Sequence, residues 1–332
     1  MEVAKGVFRE RPAYFIRTPS LTLVVMETGA HLASLTLPGE GAESNPLWCP
    51  QWPAGDPTTA AALGTWGAGE HAMEAPLLAS ICGSNLCCDR FGPSYPGEEQ
   101  RPLHGEAGVM AWTWVQSTPT TCAFEACLPI SRLTVRRSFT VDPAAPSRLR
   151  VESRLRLDGA ATAPQRLEVC EHTTLGNAFL DSCTITATVG GQAYEMPPSG
   201  STSEPTPLPS AAALAVPGVG DAPCGSVRCV PVTPGQASWS AEGSGRRLTV
   251  QWASTDFPWL CLWTEHKSRG HPPWAFQERT RGMEISTKPF PQIPPASRES
   301  AFLGIPAVEM IAPGQEVTKT VEFDWSKLSN EC

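Results

Sequence analysis

Arg148-Leu149-Arg150-Val151-Glu152-Ser153-Arg154-Leu155-Arg156-Leu157 alternates between charge and hydrocarbon along its whole length. Leu149, Val151, Leu155 and Leu157 fall on one side, with Ser153 the one break in that series, and four arginines and Glu152 fall on the other. A period of two marks a strand with one buried and one wet face, the usual state of an antiparallel sheet laid on a core. Strand patterns continue outward from this stretch. Towards the N-terminus they cover residues 133–141, 121–128 and 112–115; towards the C-terminus, residues 165–170, 183–189, 246–252, 259–264, 282–285 and 316–323. Almost nothing between residues 113 and 325 sustains a helical period. The expectation is an all-β, antiparallel architecture around one core.

Nearer the N-terminus, residues 21–37 read as a hairpin, with Leu21, Leu23 and Val25 alternating before Gly29-Ala30. Residues 46–57, rich in Trp and Pro, form a packed loop, because proline removes backbone donors. A short helical turn is expected at residues 59–63. Residues 197–234, dominated by Pro, Gly, Ser and Ala, read as an extended excursion within a single 1–332 domain, and residues 289–297 form a second proline cluster. No repeat of solenoid or propeller period is present.

The 332-residue chain is 41% hydrophobic and 17% charged, enough apolar material for a sizeable core. A formal charge of −8 and no basic run disfavour a phosphate-backbone partner, so nucleic acid is not expected. The twelve cysteines are scattered, several inside apolar runs, and no Cys-x-x-Cys pair occurs. They read as free thiols, and no metal site of the zinc-knuckle type is expected. Charges at Glu2, Lys5, Arg9, Glu10 and Arg11 interrupt any signal-peptide core, and no membrane-length apolar run follows. Cytoplasmic residence and no membrane partner are the resulting expectations, with a homodimer left open.

Three segments carry candidate acid/base groups. His104 lies in Arg101-Pro102-Leu103-His104-Gly105-Glu106, where proline and glycine preclude regular structure and a turn beside strands can display a side chain. Its plain alternative is a surface-turn histidine. Glu171-His172 is a polar pair interrupting a strand, and must be hydrogen-bonded or face a cavity. Glu284, between Met283 and Ile285, would serve as a base near neutral pH if partly desolvated; otherwise it is an exposed strand residue. His31 reads as structural, and His71 beside Glu74 as a weak pair in a Gly-rich loop. Spacing alone does not bring the three candidates together.

A resemblance does. Residues 83–114, with Phe91-Gly92-Pro93, Pro102-Leu103-His104-Gly105 and then Trp112-Thr113-Trp114, resemble the hexose epimerase branch of the galactose mutarotase (aldose 1-epimerase) superfamily. Glu171-His172 with Leu175-Gly176 and Phe179-Leu180 resembles its second histidine motif, and Gly282-Met283-Glu284 its catalytic glutamate. The motifs occur in the family's order over about residues 20–320. The resemblance implies a β supersandwich and cofactor-free interconversion of sugar anomers. It implies that Glu284 takes the proton of the anomeric hydroxyl, that His172 protonates the ring oxygen and that His104 polarises it. Arg90 matches the family's substrate-binding arginine, and Glu171 joins the binding candidates. The family's binding aspartate has two candidates, Asp256 and Glu265. Trp48, Trp263 or Trp274 would stack on a sugar face. Glu-His-Thr replaces the usual Asn-His-Ser/Thr, which points to a divergent subgroup. Arg90, Arg101, Arg279 and Arg281 would favour a phosphorylated or acidic sugar if they converge. The alternatives are a carbohydrate-binding protein without turnover, or an isomerase acting on another sugar or derivative.

Overall fold

The computed structural model describes residues 1–95, 100–198, 201, 203–290, 301–302, 304–306 and 308–328. Its strands are β1 (Glu2–Phe8), β2 (Arg11–Arg17), β3 (Thr22–Met26), β4 (Leu32–Thr36), β5 (Ser84–Cys87), β6 (Thr113–Ser117), β7 (Thr121–Leu128), β8 (Leu133–Val141), β9 (Arg148–Leu157), β10 (Gln165–Leu167), β11 (Cys170–Leu175) and β12 (Thr184–Thr188). They continue with β13 (Ala193–Glu195), β14 (Thr206–Leu208), β15 (Cys224–Pro231), β16 (Gln236–Gly243), β17 (Arg246–Ala253), β18 (Trp259–His266), β19 (Arg279–Ser286), β20 (Ala301–Phe302), β21 (Ile305–Pro306), β22 (Glu309–Ile311) and β23 (Glu316–Lys327).

Two large antiparallel sheets result. One has eleven strands in the order β1-β2-β3-β4-β5-β11-β19-β18-β15-β13-β14; the other has eight, β12-β16-β17-β23-β9-β8-β7-β6. The apolar faces of β7, β8 and β9 (Phe124, Phe139, Leu149) meet Leu23, Leu260 and Ile285 of the larger sheet in one core. The alternation that opened the sequence is preserved: β9 buries every second residue and leaves its arginines in water.

The larger sheet is covered on its other face too. Residues 48–81 fold back over it with a second apolar cluster that includes Trp48, Trp52, Leu77 and Leu78, joined by Trp274 from the loop after β18. With both faces covered, β11 and β19 are buried at every position. This β sandwich is the fold class expected.

Several boundaries differ from the sequence reading. β1 and β2 form an additional opening hairpin, paired from Glu2–Arg17 to Phe8–Arg11. β5 lies within the Gly/Cys-rich run and is short enough for its pattern to vanish among small residues. The strand read over residues 165–170 is two strands, β10 and β11, and the polar pair sits inside the second. Residues 197–234 are not an excursion throughout: β15 pairs along its whole length with β18, so its backbone polar groups are satisfied by the sheet despite a small-residue composition. α1 (Pro57–Leu63) includes the expected helical turn, capped by Asp56, whose carboxylate accepts from Thr58 N at 2.9 Å. Most of the second proline cluster, from residue 291, lies outside the described residues.

Candidate active site

β11 runs between β5 and β19, and the register places His172 directly opposite Asn85 on one side and Glu284 on the other. Glu284 in turn faces Cys261 on β18. A sheet sends alternate side chains to opposite faces, so this polar row lies on the covered face, away from the inter-sheet core. There His172 Nε2 stands 3.2 Å from Glu284 Oε1, and its Nδ1 lies 3.2 Å from Thr174 Oγ1. Gly282, on the same face two residues before Glu284, leaves the room this carboxylate occupies: a Cβ there would lie 2.4 Å from Glu284 Oε1.

His104 arrives from the covering layer. It adopts φ 64°, its N–H donates to Gly92 O at 3.0 Å, and Gly105 follows at φ +83°, where a Cβ would come within 2.4 Å of Cys88 O. This left-handed turn drives the imidazole inward, its ring 5.4 Å from that of His172 and 5.7 Å from Phe290. His104 Nδ1 is buried and has no hydrogen-bond partner. An unsatisfied buried polar atom at a cavity is what a ligand hydroxyl would complete.

Burial opposes charge throughout this group. It pushes His172 down to about 4, and pushes His104 well below the ordinary histidine value, with His172 and Arg269 adding to the effect. It lifts Glu284 well above the usual carboxylate range, reinforced by the Cys261 thiol and opposed by Arg281. The resting pair is therefore neutral and shares one proton between Glu284 and Nε2; the Nδ1 hydrogen then faces Thr174 Oγ1, a tautomer assigned from the hydrogen-bond network.

The pair lies on the floor of a cavity of about 810 Å³, whose wall includes His104, Trp263, Trp274, Glu265, Arg269 and Phe290. That volume lies within the range of small-molecule sites, roughly 300–1,000 Å³. Trp263 stands 6.1 Å from the His172 ring and 5.9 Å from Trp274, nearly perpendicular to it. The Arg269 guanidinium lies 5.4 Å from the Trp263 ring centre and 4.7 Å from that of Trp274. Glu265 orders this corner by accepting from Ser268 N and Oγ at 2.6 and 2.8 Å and facing Arg269 Nε at 3.3 Å.

Of the candidates, His104, His172, Glu284, Trp263, Trp274 and Glu265 share this cavity, and Glu171, Arg90, Asp256 and Trp48 do not. Glu171 points from the opposite face of β11 into the inter-sheet core, where Arg137 of β8 holds it with two hydrogen bonds of 2.8 Å. Arg90 is buried beside Glu168, at 3.2 Å, and lies 4.2 Å from the Tyr95 ring centre; it is not on the cavity wall. Asp256 stands in the turn after β17, on the other sheet, accepting from Thr320 N at 3.2 Å. Trp48 stacks behind Trp274, at 6.0 Å. The four arginines do not converge: Arg101 pairs with Asp89, Arg279 with Asp181, and Arg281 bonds Thr264 Oγ1 and Ala213 O. Among the described residues the cation on the cavity wall is Arg269, which sequence reasoning missed; its one signal is a charged residue four positions after Glu265 in a loop leaving a strand.

Among the described residues no helix is long and apolar enough to cross a membrane, and the eleven described cysteines are free. No family model and no curated protein matches the chain. Solved structures do. A galactose mutarotase-like protein from Clostridium acetobutylicum aligns over 98% of this chain and 99% of its own, at 10% identity and TM-score 0.64. A galactose mutarotase related enzyme from Lactobacillus acidophilus covers 96% and 99% at 11% identity and TM-score 0.62. A candidate aldose 1-epimerase from Klebsiella pneumoniae covers 98% of this chain and 82% of its own at 14% identity and TM-score 0.68. Agreement over nearly the whole length at such low identity is agreement of architecture: the chain has the fold of the galactose mutarotase-like proteins.

Proposed function

We propose that the chain interconverts the anomers of a sugar by acid–base catalysis, with His172 and Glu284 as the proton-transfer pair. The observation that carries this reading is the 3.2 Å approach of His172 Nε2 to Glu284 Oε1 on the floor of a cavity of about 810 Å³. Anomer exchange needs one group that accepts a proton and one that gives it, both within reach of one hemiacetal. In the opening step Glu284 takes the O1 proton, the C1–O5 bond breaks as the C1=O1 carbonyl forms, and O5 takes a proton from His172. Rotation about C1–C2 and the reverse transfers close the other anomer and restore the pair.

The pair enters this step as carboxylate and imidazolium, which one proton transfer supplies from the neutral resting form. Sugar hydroxyls in the cavity offset the lost hydration that disfavours those charges. His104 hydrogen-bonds O5 or a neighbouring hydroxyl through its unpartnered nitrogen. Trp263 and Trp274 provide stacking surface, and Glu265 with Arg269 provides hydroxyl recognition at the rim. Arg269 is already matched by Glu265 and Glu74, which favours a neutral aldose over a sugar phosphate.

Magnetisation-transfer NMR across a panel of free, phosphorylated and acidic sugars tests the proposal. Acceleration of anomer exchange by wild type, strongest for a neutral aldose, is the expected result. Broadened sugar resonances without accelerated exchange for any sugar would leave a carbohydrate-binding protein and defeat the catalytic reading.

A further inference from the structure

A second cluster of ligating side chains stands at the mouth of the same cavity and takes no part in the proton transfers. His71 and Glu74 come from the 3-10 turn Gly69–Glu74 in the covering layer, and His271 from the loop between β18 and β19. His71 Nδ1 lies 3.6 Å from Glu74 Oε1, and His271 Nε2 lies 3.8 Å from Glu74 Oε2. One ligand atom from each residue falls within 4.8 Å of the others. Glu74 Oε2 and His271 Nε2 are buried atoms without a hydrogen-bond partner. Glu74 also lines the cavity.

These separations are too long for hydrogen bonds, and a set of three ligand atoms within 4.8 Å of one another is compact enough to be drawn onto a shared ion. With bonds of about 2.0–2.1 Å, neighbouring ligand atoms on a tetrahedral zinc-type centre lie ~3.3–3.4 Å apart. We propose that His71, Glu74 and His271 form a binding site for a borderline divalent cation of the zinc, cobalt or nickel type, clipping the 69–74 turn to the 267–276 loop at the cavity mouth. Two imidazoles and one carboxylate select such ions over calcium or magnesium, which prefer oxygen. Three protein ligands leave a coordination position open.

The surrounding formal charge favours a dication. Glu70, 3.6 Å from His71, together with Glu74 and Glu265, outnumbers Arg269, which keeps Glu265 as its partner when the ion takes Glu74. The two imidazole rings are stacked 3.6 Å apart and 4° from parallel, so their lone pairs run side by side. Binding turns one ring about its Cβ–Cγ bond to aim both nitrogens at the ion. All three side chains are partly exposed, at 33%, 20% and 21%, and ions can reach them from solution.

Cobalt(II) is the probe, because its spectrum separates this site from the chain's thiols. The full-length protein, stripped with a chelator, is titrated with Co²⁺ alone. The expected result is one ion per chain with visible d–d bands and no near-ultraviolet thiolate charge-transfer band, and a Co²⁺-dependent rise in the unfolding midpoint. His71→Ala and His271→Ala, each folded with the wild-type midpoint in the absence of metal, should each weaken binding by more than about a hundredfold, beyond the range typical of losing an outer-shell partner. The two variants are independent, so either suffices. Absence of uptake by wild type, uptake unchanged in a folded variant, or a thiolate band would overturn the assignment.

Discussion

β9 and β19 are strands of similar length in the two sheets, and they record opposite situations. β9 buries one face and leaves arginines on the other in water, whereas β19 is buried at all eight positions, arginines and Glu284 included. In β9 polarity and exposure coincide, so a charge there needs no partner. In β19 and its neighbour β11 every polar group requires a specific match, and the two faces supply different ones. Glu171 turns to the inter-sheet core and is neutralised by Arg137, while His172, one residue later, turns to the cavity and meets Glu284. A single step along the chain separates a structural ion pair from a candidate catalytic one.

Exchanging the two glutamates' roles is the sharpest way to break this comparison. Glu284→Gln keeps the shape of a side chain that rests neutral, so it should retain the wild-type unfolding midpoint yet slow anomer exchange by ~10²–10⁴-fold, the usual contribution of an acid–base group. Full exchange in this variant would remove Glu284 from the mechanism. Glu171→Gln should do the reverse: it leaves the Arg137 guanidinium buried without its anion, a loss of about 3–5 kcal/mol readable in urea unfolding, with exchange per folded molecule unchanged. Loss of exchange in folded Glu171→Gln would put both faces of β11 in the site.

The legible part of the fold was the part where one face is wet. The alternations of β7, β8 and β9 follow from a face that must be polar and another that must not be. Even the break at Ser153 has its reason, since it pairs in register with Arg137, whose charge reaches across to Glu171. Strands covered on both faces lose that signature. β5, buried at all four positions, carries no periodic mark although it positions Asn85 beside His172, and β15, only partly buried, carries none because it is built largely of small residues. His104, His172 and Glu284 were found through short motifs, because their meeting depends on a register that no local pattern encodes. Arg90 and Asp256 show the limit of that route: each has a suitable side chain, but one is held by Glu168 and the other stands on the opposite sheet.

A pH profile sharpens the contrast at lower magnitude. With His172 held down to about 4 by burial, the pair keeps its single shared proton well below the pH at which an ordinary histidine, near 6.5, would charge. Exchange should therefore be level between about pH 5 and 7 and fall towards pH 4, as a second proton removes the base. The stability sign follows from the same depression: between about 6.5 and 4 the unfolded chain binds a proton that the folded one refuses, so this contribution is lost as pH falls through that window. An acid limb near pH 6.5 would mean that His172 is solvated in the working enzyme and that the cavity opens.

The smallest effect is expected at Asp256, where the two sheets compete for one role. A binding carboxylate was expected between the second histidine and Glu284, and both Asp256 and Glu265 meet that description by position. Only Glu265 lies on the cavity wall; Asp256 is partly exposed in the turn after β17, and its carboxylate accepts from Thr320 N. Asp256→Ala removes that acceptor where water can replace it, so the stability change should stay within about 0.5 kcal/mol and KM should not move. Glu265→Ala, by contrast, releases Ser268 and Arg269 from the cavity rim and should raise KM with a smaller effect on kcat, as loss of binding common to ground and transition states does. A KM that rises in Asp256→Ala and not in Glu265→Ala would place sugar recognition on the eight-stranded sheet and separate it from the His172–Glu284 pair.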